Sequence, residues 1–535
     1  MYNKIFPIPL AFFLILCAHH VSAQDVDPLI IFRGQAVKTP HIEIGSLKMV
    51  PDDSVKSLTD VQYLFGSQES QILNFKHSQL FSKKAELHIL YANSASEGNL
   101  VHDVFKYSNL ILNGNYQGNK FKLTSSLEFE QDTREENGGI LRDSLFDQTD
   151  LAQKFIGVNL ASNSSDWKNL IVQDTLEYSI SKNVLIESFL NFKHIDRNYS
   201  GTGVGDTTFY QNIFIDSSGR VDYYRNRNLN YGLGLSLIIG KNKFAVGSVF
   251  NSDYYFNRSK LDTFGFGLYA GVQHVDSGLV VGLNAKYHLN GFRKDGFEIN
   301  FSYEQELRSK LKIRSDFRSE LLPISYNDMR FSGNYYNWDF DSSKYQFANR
   351  LDLNLADSSG SWNIGVELLY AQNYFYFDTV MNPSQVSGAG SIRVDFKKNF
   401  KLGKFKVPIG LVSYPLMSQE IRNPFVSISS GVLFRFEAFK SNLKVETGIT
   451  ANWFSRYYAR AYEPSTGRFY LQDEQKIGNY PYLDFILKTS IKDASFFIIV
   501  THLNQDLTGR NYFSMPRYLE LQRRFVFGLK WRFIN

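Results

Sequence analysis

One pattern governs this chain from about Gln71 to its end. Roughly ten to thirteen residues alternate apolar and polar side chains, a turn follows, and the unit repeats. A period of two sends successive side chains to opposite faces, so the pattern specifies β-strands whose two faces meet different surroundings. In Phe297–Leu307, Phe297, Ile299, Phe301 and Tyr303 form one row and Glu298, Asn300, Ser302, Glu304 and Glu306 the other. The next segment sets Leu311, Ile313, Phe317 and Leu321 against Lys312, Arg314, Asp316, Arg318 and Glu320. With Ser309 at the turn centre, Glu306 should face Lys312 and Glu304 should face Arg314. The same sorting places Lys122, Thr124, Ser126 and Glu128 on one face of Phe121–Phe129, and Lys444, Glu446, Thr450 and Asn452 on one face of Leu443–Trp453. Charges this dense are costly inside a protein core but suit a wet lumen. The uninterrupted apolar rows, with aromatics near strand ends, suit lipid better than the plainer alternative of a soluble sheet with one solvated face. Glu298, Glu304, Glu306, Lys312, Arg314, Arg318, Lys444, Glu446, Lys122 and Glu128 are therefore expected to face a lumen.

The connections alternate in length. Short turns fall at Gln117–Asn119, Ser181–Asn183, Gly240–Asn242, Arg308–Lys310, Lys440–Asn442 and Lys492–Ala494. Long polar loops lie between them, at 132–167, 197–225, 322–345, 377–387, 455–479 and 504–522. Short turns on one rim and long loops on the other describe a transmembrane antiparallel outer-membrane β-barrel, all-β, with periplasmic turns and extracellular loops. Counting hairpins back from Phe533 places both termini on the short-turn side, so the count is even: roughly 18–22 strands, with 22 the best count. The weakest strand signals are Val61–Phe65 and Ile72–Ser78. Phe155–Leu160 also reads as a strand but falls inside a predicted loop, where it would extend the wall or fold into the lumen.

The ends of the chain fit the same picture. Lys4 precedes an apolar stretch from Ile5 to Leu16, and Val21-Ser22-Ala23 supplies a small-x-small cleavage pattern. We expect a signal peptide over 1–23, cleaved between Ala23 and Gln24, a periplasmic lead-in over 24–59 and a barrel over 60–535. Cys17 is the one cysteine and leaves with the signal, and the lipoprotein reading fails because Leu14-Ile15-Leu16 lacks a small residue before it. At the other end, Phe525, Phe527, Leu529, Trp531 and Phe533 alternate with Val526, Gly528, Lys530 and Arg532. This segment resembles the aromatic-ended strand that barrel-assembly machinery reads, with Gly528, Trp531 and Phe533 as its signal residues, although Ile534 and Asn535 follow the last aromatic. Aromatics make up 16% of the chain, yet no apolar run after the signal reaches the length of a spanning helix. A net charge of +5 over this length gives no reason to expect nucleic acid.

Short blocks give the chain a family likeness. They are Glu136-Asn137-Gly138-Gly139-Ile140, Gly333-Asn334-Tyr335-Tyr336-Asn337-Trp338, and Asn373-Tyr374-Phe375-Tyr376-Phe377-Asp378 followed by Pro383 and Gln385. The last are Tyr480-Pro481-Tyr482-Leu483-Asp484-Phe485 and the terminal Gly528-x-x-Trp531-x-Phe533. In their order and spacing, from about Gln62 to Phe533, the sequence resembles the putative porins of Bacteroidetes outer membranes. The resemblance implies a large barrel in the cell outer membrane with a diffusion function, and it implies no particular substrate or functional residues.

Little points to chemistry. The histidines outside the signal (His41, His77, His88, His102, His194, His274, His288 and His502) show no metal-ligand spacing, and no serine carries a hydrolase signature. Gly201-Thr202-Gly203-Val204-Gly205-Asp206 mimics a nucleotide loop but lacks the buried strand, helix and Lys that such a loop needs. We expect no enzyme activity, no cofactor and no metal. The loop 455–479 carries Arg456, Tyr457, Tyr458, Arg460, Tyr462, Arg468, Phe469 and Tyr470, which suit either an outer interface beside lipopolysaccharide phosphates or a surface glycan. The expected function is passive diffusion of small polar solutes, with lipid, lipopolysaccharide and the assembly machinery as the other partners. A gated active transporter would need a folded plug, and the stretch before Val61 is too short for one. The alternative is a structural or adhesive, surface-glycan-binding barrel whose long loops fill the lumen.

Overall fold

The computed structural model describes residues 56–141, 155–201, 209–210, 212–215, 222–307, 310–340 and 345–535. The signal with Ala23 and Gln24, nearly all of the lead-in, the centre of the turn at Arg308–Ser309 and most of the Gly201–Asp206 loop lie outside the described residues. Twenty-two strands form one antiparallel sheet in which each strand pairs with its neighbours in the chain, and the last, Arg524–Ile534, pairs back onto the first, Ser57–Gly66. The sheet is thus a closed barrel with the expected count. Closure leaves no strand edge unpaired, which is what a wall in contact with hydrocarbon requires. The described residues contain one short helix, Tyr326–Met329, and no helix long and apolar enough to cross a membrane.

The two rims differ as the sequence suggests. At one, the connections are two to four residues long, as at 83–84, 240–241, 403–404 and 439–442. Gly240 and Gly403 sit at φ 59° and 60°, and a Cβ on either would meet nothing within 4 Å. Both glycines are therefore there for the backbone conformation of a two-residue hairpin turn and not for space. At the other rim the long connections are 136–163, 201–221, 324–344, 455–481 and 502–523. Several are shorter than expected because the flanking strands stay paired further along the chain. Phe121–Glu135 and Ser164–Ser179 stay paired to Glu135 and Ser164, and Trp362–Phe377 pairs with Pro383–Leu402 to leave only 378–382 between them. The first strand begins at Ser57, inside the stretch read as a lead-in.

The register puts Glu304 opposite Arg314 and Glu306 opposite Lys312. The seam between the first and last strands shows how the faces divide. Phe525, Phe527, Trp531 and Phe533 point outward and are 41–52% exposed, with the rings of Trp531 and Phe533 stacked 5.1 Å apart. On the inner side, Gly528 lies beside Leu64, where a Cβ would come within 2.1 Å of the Leu64 side chain. Leu64, Phe497 and Ile499 form a buried apolar cluster there. The lining is not polar throughout: the seam is closed from inside by hydrophobic packing, and Gly528 provides the space for it.

Candidate functional site: charged inner wall and loop cap

The inward rows place the predicted charges in local networks. Lys122 lies 3.8 Å from Glu177, which also meets Lys243 at 3.0 Å, and Lys243 in turn contacts Glu187. Glu298 is buried, 3.3 Å from the His288 ring and 3.7 Å from Lys286. Glu128 accepts a hydrogen bond from Asn109 at 3.1 Å, and Arg318 donates to Asn300 at the same distance. Glu446 receives Arg435 and lies opposite Lys488, while Lys444 is exposed and opposite Glu437. The expected cross-strand partners are adjacent in register but differ in contact. Arg314 turns along its own strand to Asp316 at 2.7 Å, and Glu306 accepts from Ser358 at 2.8 Å. Residues two apart share a face, and the short Asp carboxylate offers Arg314 a nearer partner than Glu304 does.

The densest part of the wall was missed in the sequence. Arg350 donates to Asp352 at 2.9 Å and to Glu367 at 2.9 Å, and Arg393 approaches Glu367 at 3.7 Å and Asp395 at 3.6 Å. Asp316, Asp352, Glu367 and Arg393 lie side by side across four strands. The signal was available: Arg350-x-Asp352 and Arg393-x-Asp395 repeat the Arg314-x-Asp316 spacing. The result is a ladder of mixed charge in which three arginines, Arg314, Arg350 and Arg393, are interleaved with four carboxylates, Asp316, Asp352, Glu367 and Asp395.

The long loops fold over the mouth and into one another. Arg197, on Val184–Ser200, reaches to residues 464–465, whose loop arises about half-way round the ring, and donates to the carbonyls of Pro464 and of Ser465, the latter at 2.7 Å. Glu136 accepts from Ser165 at 2.5 Å and from Tyr462 at 3.0 Å, and the Ile140 amide donates to the Arg517 carbonyl at 2.9 Å. Tyr336 donates to Glu463 at 3.0 Å, and Arg468 pairs with Asp328 at 2.9 Å. The Leu471 amide donates to the Phe377 carbonyl at 3.0 Å. Segments from 136–163, 324–344, 455–481 and 502–523 thus make one cap. Its interior is aromatic: Tyr199, Tyr210 and Tyr335 are each at most 3% exposed, and the rings of Tyr210 and Tyr335 stack 3.8 Å apart. Phe155–Leu160 belongs to the cap and not to the wall, with Ile156 and Leu160 buried and Val158 bridged to Ile140. Burial pushes the Glu463 carboxyl up to about 7 despite hydrogen bonds from Ser465 and Tyr336, and burial also raises Glu136.

The aromatic loop 455–479 spends its side chains on this packing. Tyr462 is buried against Phe469 and Tyr518, Tyr457 packs on Phe454, and Arg460 donates to the Tyr374 hydroxyl at 3.2 Å and the Glu420 carbonyl at 2.8 Å. The blocks quoted for the family likeness, apart from the terminal Gly528-x-x-Trp531-x-Phe533, gather at the same end. Glu136, Asn137, Asn334, Tyr335, Tyr374, Phe375, Tyr480 and Tyr482 are all buried there. His502, fully buried, lies 2.8 Å from the Tyr480 hydroxyl.

A family model described as putative porin matches residues 53–535. No curated protein matches the chain. Among solved structures, the ferric enterobactin receptor of Pseudomonas aeruginosa is similar at 11% identity and TM-score 0.60, with 90% of this chain and 82% of that one covered. The siderophore receptor PirA of Acinetobacter baumannii gives 10% identity, TM-score 0.60 and coverage of 90% and 81%. The copper transporter OprC gives 11%, 0.61 and coverage of 90% and 81%. At these identities the likeness is one of fold.

Proposed function

Because this chain belongs to the putative porin family, we propose that it is an outer-membrane channel, and not an enzyme, through which small polar solutes diffuse passively once its loop cap opens. The observation that carries this reading is the charged ladder of Arg350, Asp352, Glu367, Arg393 and Asp395 on the inner wall. A barrel of 22 strands is too wide for its own wall side chains to fill, and such a lining is stable only in water. Because two arginines nearly balance three carboxylates in this ladder, ion selectivity should be weak. In this reading the exported chain is delivered to the barrel-assembly machinery by its terminal strand, its outward aromatics contact lipid, and its long-loop rim faces lipopolysaccharide. The test is single-channel recording of folded protein in a planar bilayer across a salt gradient. Steps of current with a small reversal potential support the channel, and a reversal potential near the limit for one ion sign removes the weak selectivity.

One observation favours a second reading. The span of 455–481 to Arg197 closes the mouth from near one side to the other, as a structural or adhesive barrel with a loop-filled end would require. Similarity of fold to receptors and a copper transporter is equally compatible with a cap that opens on a ligand. Folded protein that stays silent even after the cap loops are removed would select the structural barrel.

A further inference from the structure

The short-turn rim carries a charge pattern that the channel reading does not use. Eight of the ten tight turns contain a lysine, among them Lys84, Lys120, Lys182, Lys404, Lys440 and Lys492, and the turns hold a single carboxylate, Asp493. All six of these lysines are exposed. Successive turns are two strand widths apart, on the order of 10 Å. The lysines therefore form an interrupted ring of positive charge around one end of the barrel. The ring is broken at 277–278 and 358–361, which lack lysine and are flanked by Asp276 and Asp357.

Directly inside the ring lies an apolar collar. Phe81, Phe121, Ile180, Ile239, Leu402 and Phe439 are 44–78% exposed at the ends of the strands that these turns join, or in the turns themselves. One further lysine ties the two together. Lys398 stands in the outward row of Pro383–Leu402 with Phe400 and Leu402, and its ammonium sits 4.9 Å over the Phe400 ring. A lysine among lipid-facing apolar groups keeps its charge in water only by extending toward the headgroups.

We propose that this rim is a binding surface for anionic phospholipid headgroups in the membrane leaflet it meets. The inference rests on the barrel's membrane placement. The partner follows from position: exposed aromatics mark the edge of the hydrocarbon, and ammonium groups just beyond it lie at the depth of lipid phosphates. A ring of single lysines on separate turns offers no converging pocket for one small anion, but it matches many separate headgroups, each held by a point charge.

The test uses full-length folded barrel in bilayer discs of phosphatidylcholine containing a minor share of phosphatidylglycerol. The phosphatidylglycerol content of the lipid that stays with the barrel on mild detergent extraction is compared with the bulk. Several-fold enrichment is expected for the wild-type protein, and near-bulk composition for a variant with Lys120, Lys182, Lys398, Lys404, Lys440 and Lys492 all changed to Gln. The enrichment of the wild type should fall as sodium chloride is raised, because exposed charges are screened. This arm decides the question if the variant does not fold. Inorganic phosphate at matched ionic strength should displace no more lipid than chloride does. Enrichment that is absent, unchanged in the folded variant, insensitive to salt, or selectively abolished by inorganic phosphate overturns the proposal. A barrel that does not enter the discs overturns the membrane placement and the ring together, whereas one that enters without enrichment overturns the ring alone.

Discussion

The two ends of this barrel are built by different physics. At the short-turn rim every connection is two to four residues, each closes a hairpin on itself, and the turn is made by residues at positive φ such as Gly240, Gly403 and Lys440. At the long-loop rim, structure comes from contacts between segments far apart in the chain: Arg197 meets Ser465, 268 residues away, and Tyr462 meets Glu136, 326 residues away. The first rim needs only its own sequence, and the second exists only when the whole ring has closed and brought its loops together. One consequence is that perturbations should stay local at the turns and propagate in the cap.

The largest effect should come from the seam on which ring closure depends. Deleting residues 531–535 removes the outward Trp531–Phe533 stack and four of the nine residue pairs with Ser57–Gly66. The truncated chain should accumulate as protease-sensitive protein without a heat-modifiable band. A truncated protein that assembles normally would show that the cap end can close the ring by itself.

Next in size is the cap. Replacing 456–479 by a short Gly-Ser linker removes the segment that reaches Arg197 and Glu136. Single-channel conductance should rise several-fold, whereas an equivalent change at the 439–442 turn should leave it unaltered. Equal conductance for the two variants would mean that the cap does not limit the pore.

A smaller and more specific change is Arg197→Met. It leaves the carbonyls of Pro464 and Ser465 without their buried donor, at about 1–3 kcal/mol. Limited proteolysis should cut within 455–481 faster in this variant, with the global melting transition little changed. Lys182→Ala at the opposite rim should alter neither readout.

The smallest expected effect is on pH. Burial raises the Glu463 carboxyl to about 7, and Ser465, Tyr336 and Tyr210 surround it. In an open cap it would regain an ordinary value of about 4.3. Protonation therefore favours closure. The stabilisation is complete below about pH 4, declines as the pH rises, and is gone above about pH 7. Glu136, raised in the same direction by burial, adds to the trend. Open probability should be lower near pH 5 than near pH 8, and Glu463→Gln should flatten this dependence. An unchanged profile in E463Q would assign any pH response to other groups.

Much of the architecture was legible because it rests on local rules. Alternation in Phe297–Leu307 and Leu311–Leu321 identified the two faces, and the turn centred on Ser309 identified the register in which Glu304 faces Arg314. Alternating short and long connections identified the rims and the strand count. The inner site was less legible. The alternation marked Arg314 as inward, but whether its guanidinium takes Asp316 or Glu304 depends on side-chain reach within the assembled wall. The aromatic loop 455–479 looked like a ligand surface because its composition does not say what covers it, and much of it is covered by the rest of the cap.

What the sequence determined by itself is the barrel: period-two strands with one apolar face, an even number of them, and turns whose residues need no distant partner. What only the tertiary structure decided is how that barrel is closed and capped. Leu64 packing into the space left by Gly528, Arg197 reaching across the mouth, and the shared burial of Tyr210 and Tyr335 all join residues that no local pattern relates. Their positions become neighbours only after 22 strands have paired in order, because a contact across the ring has no counterpart in the spacing of residues along the chain.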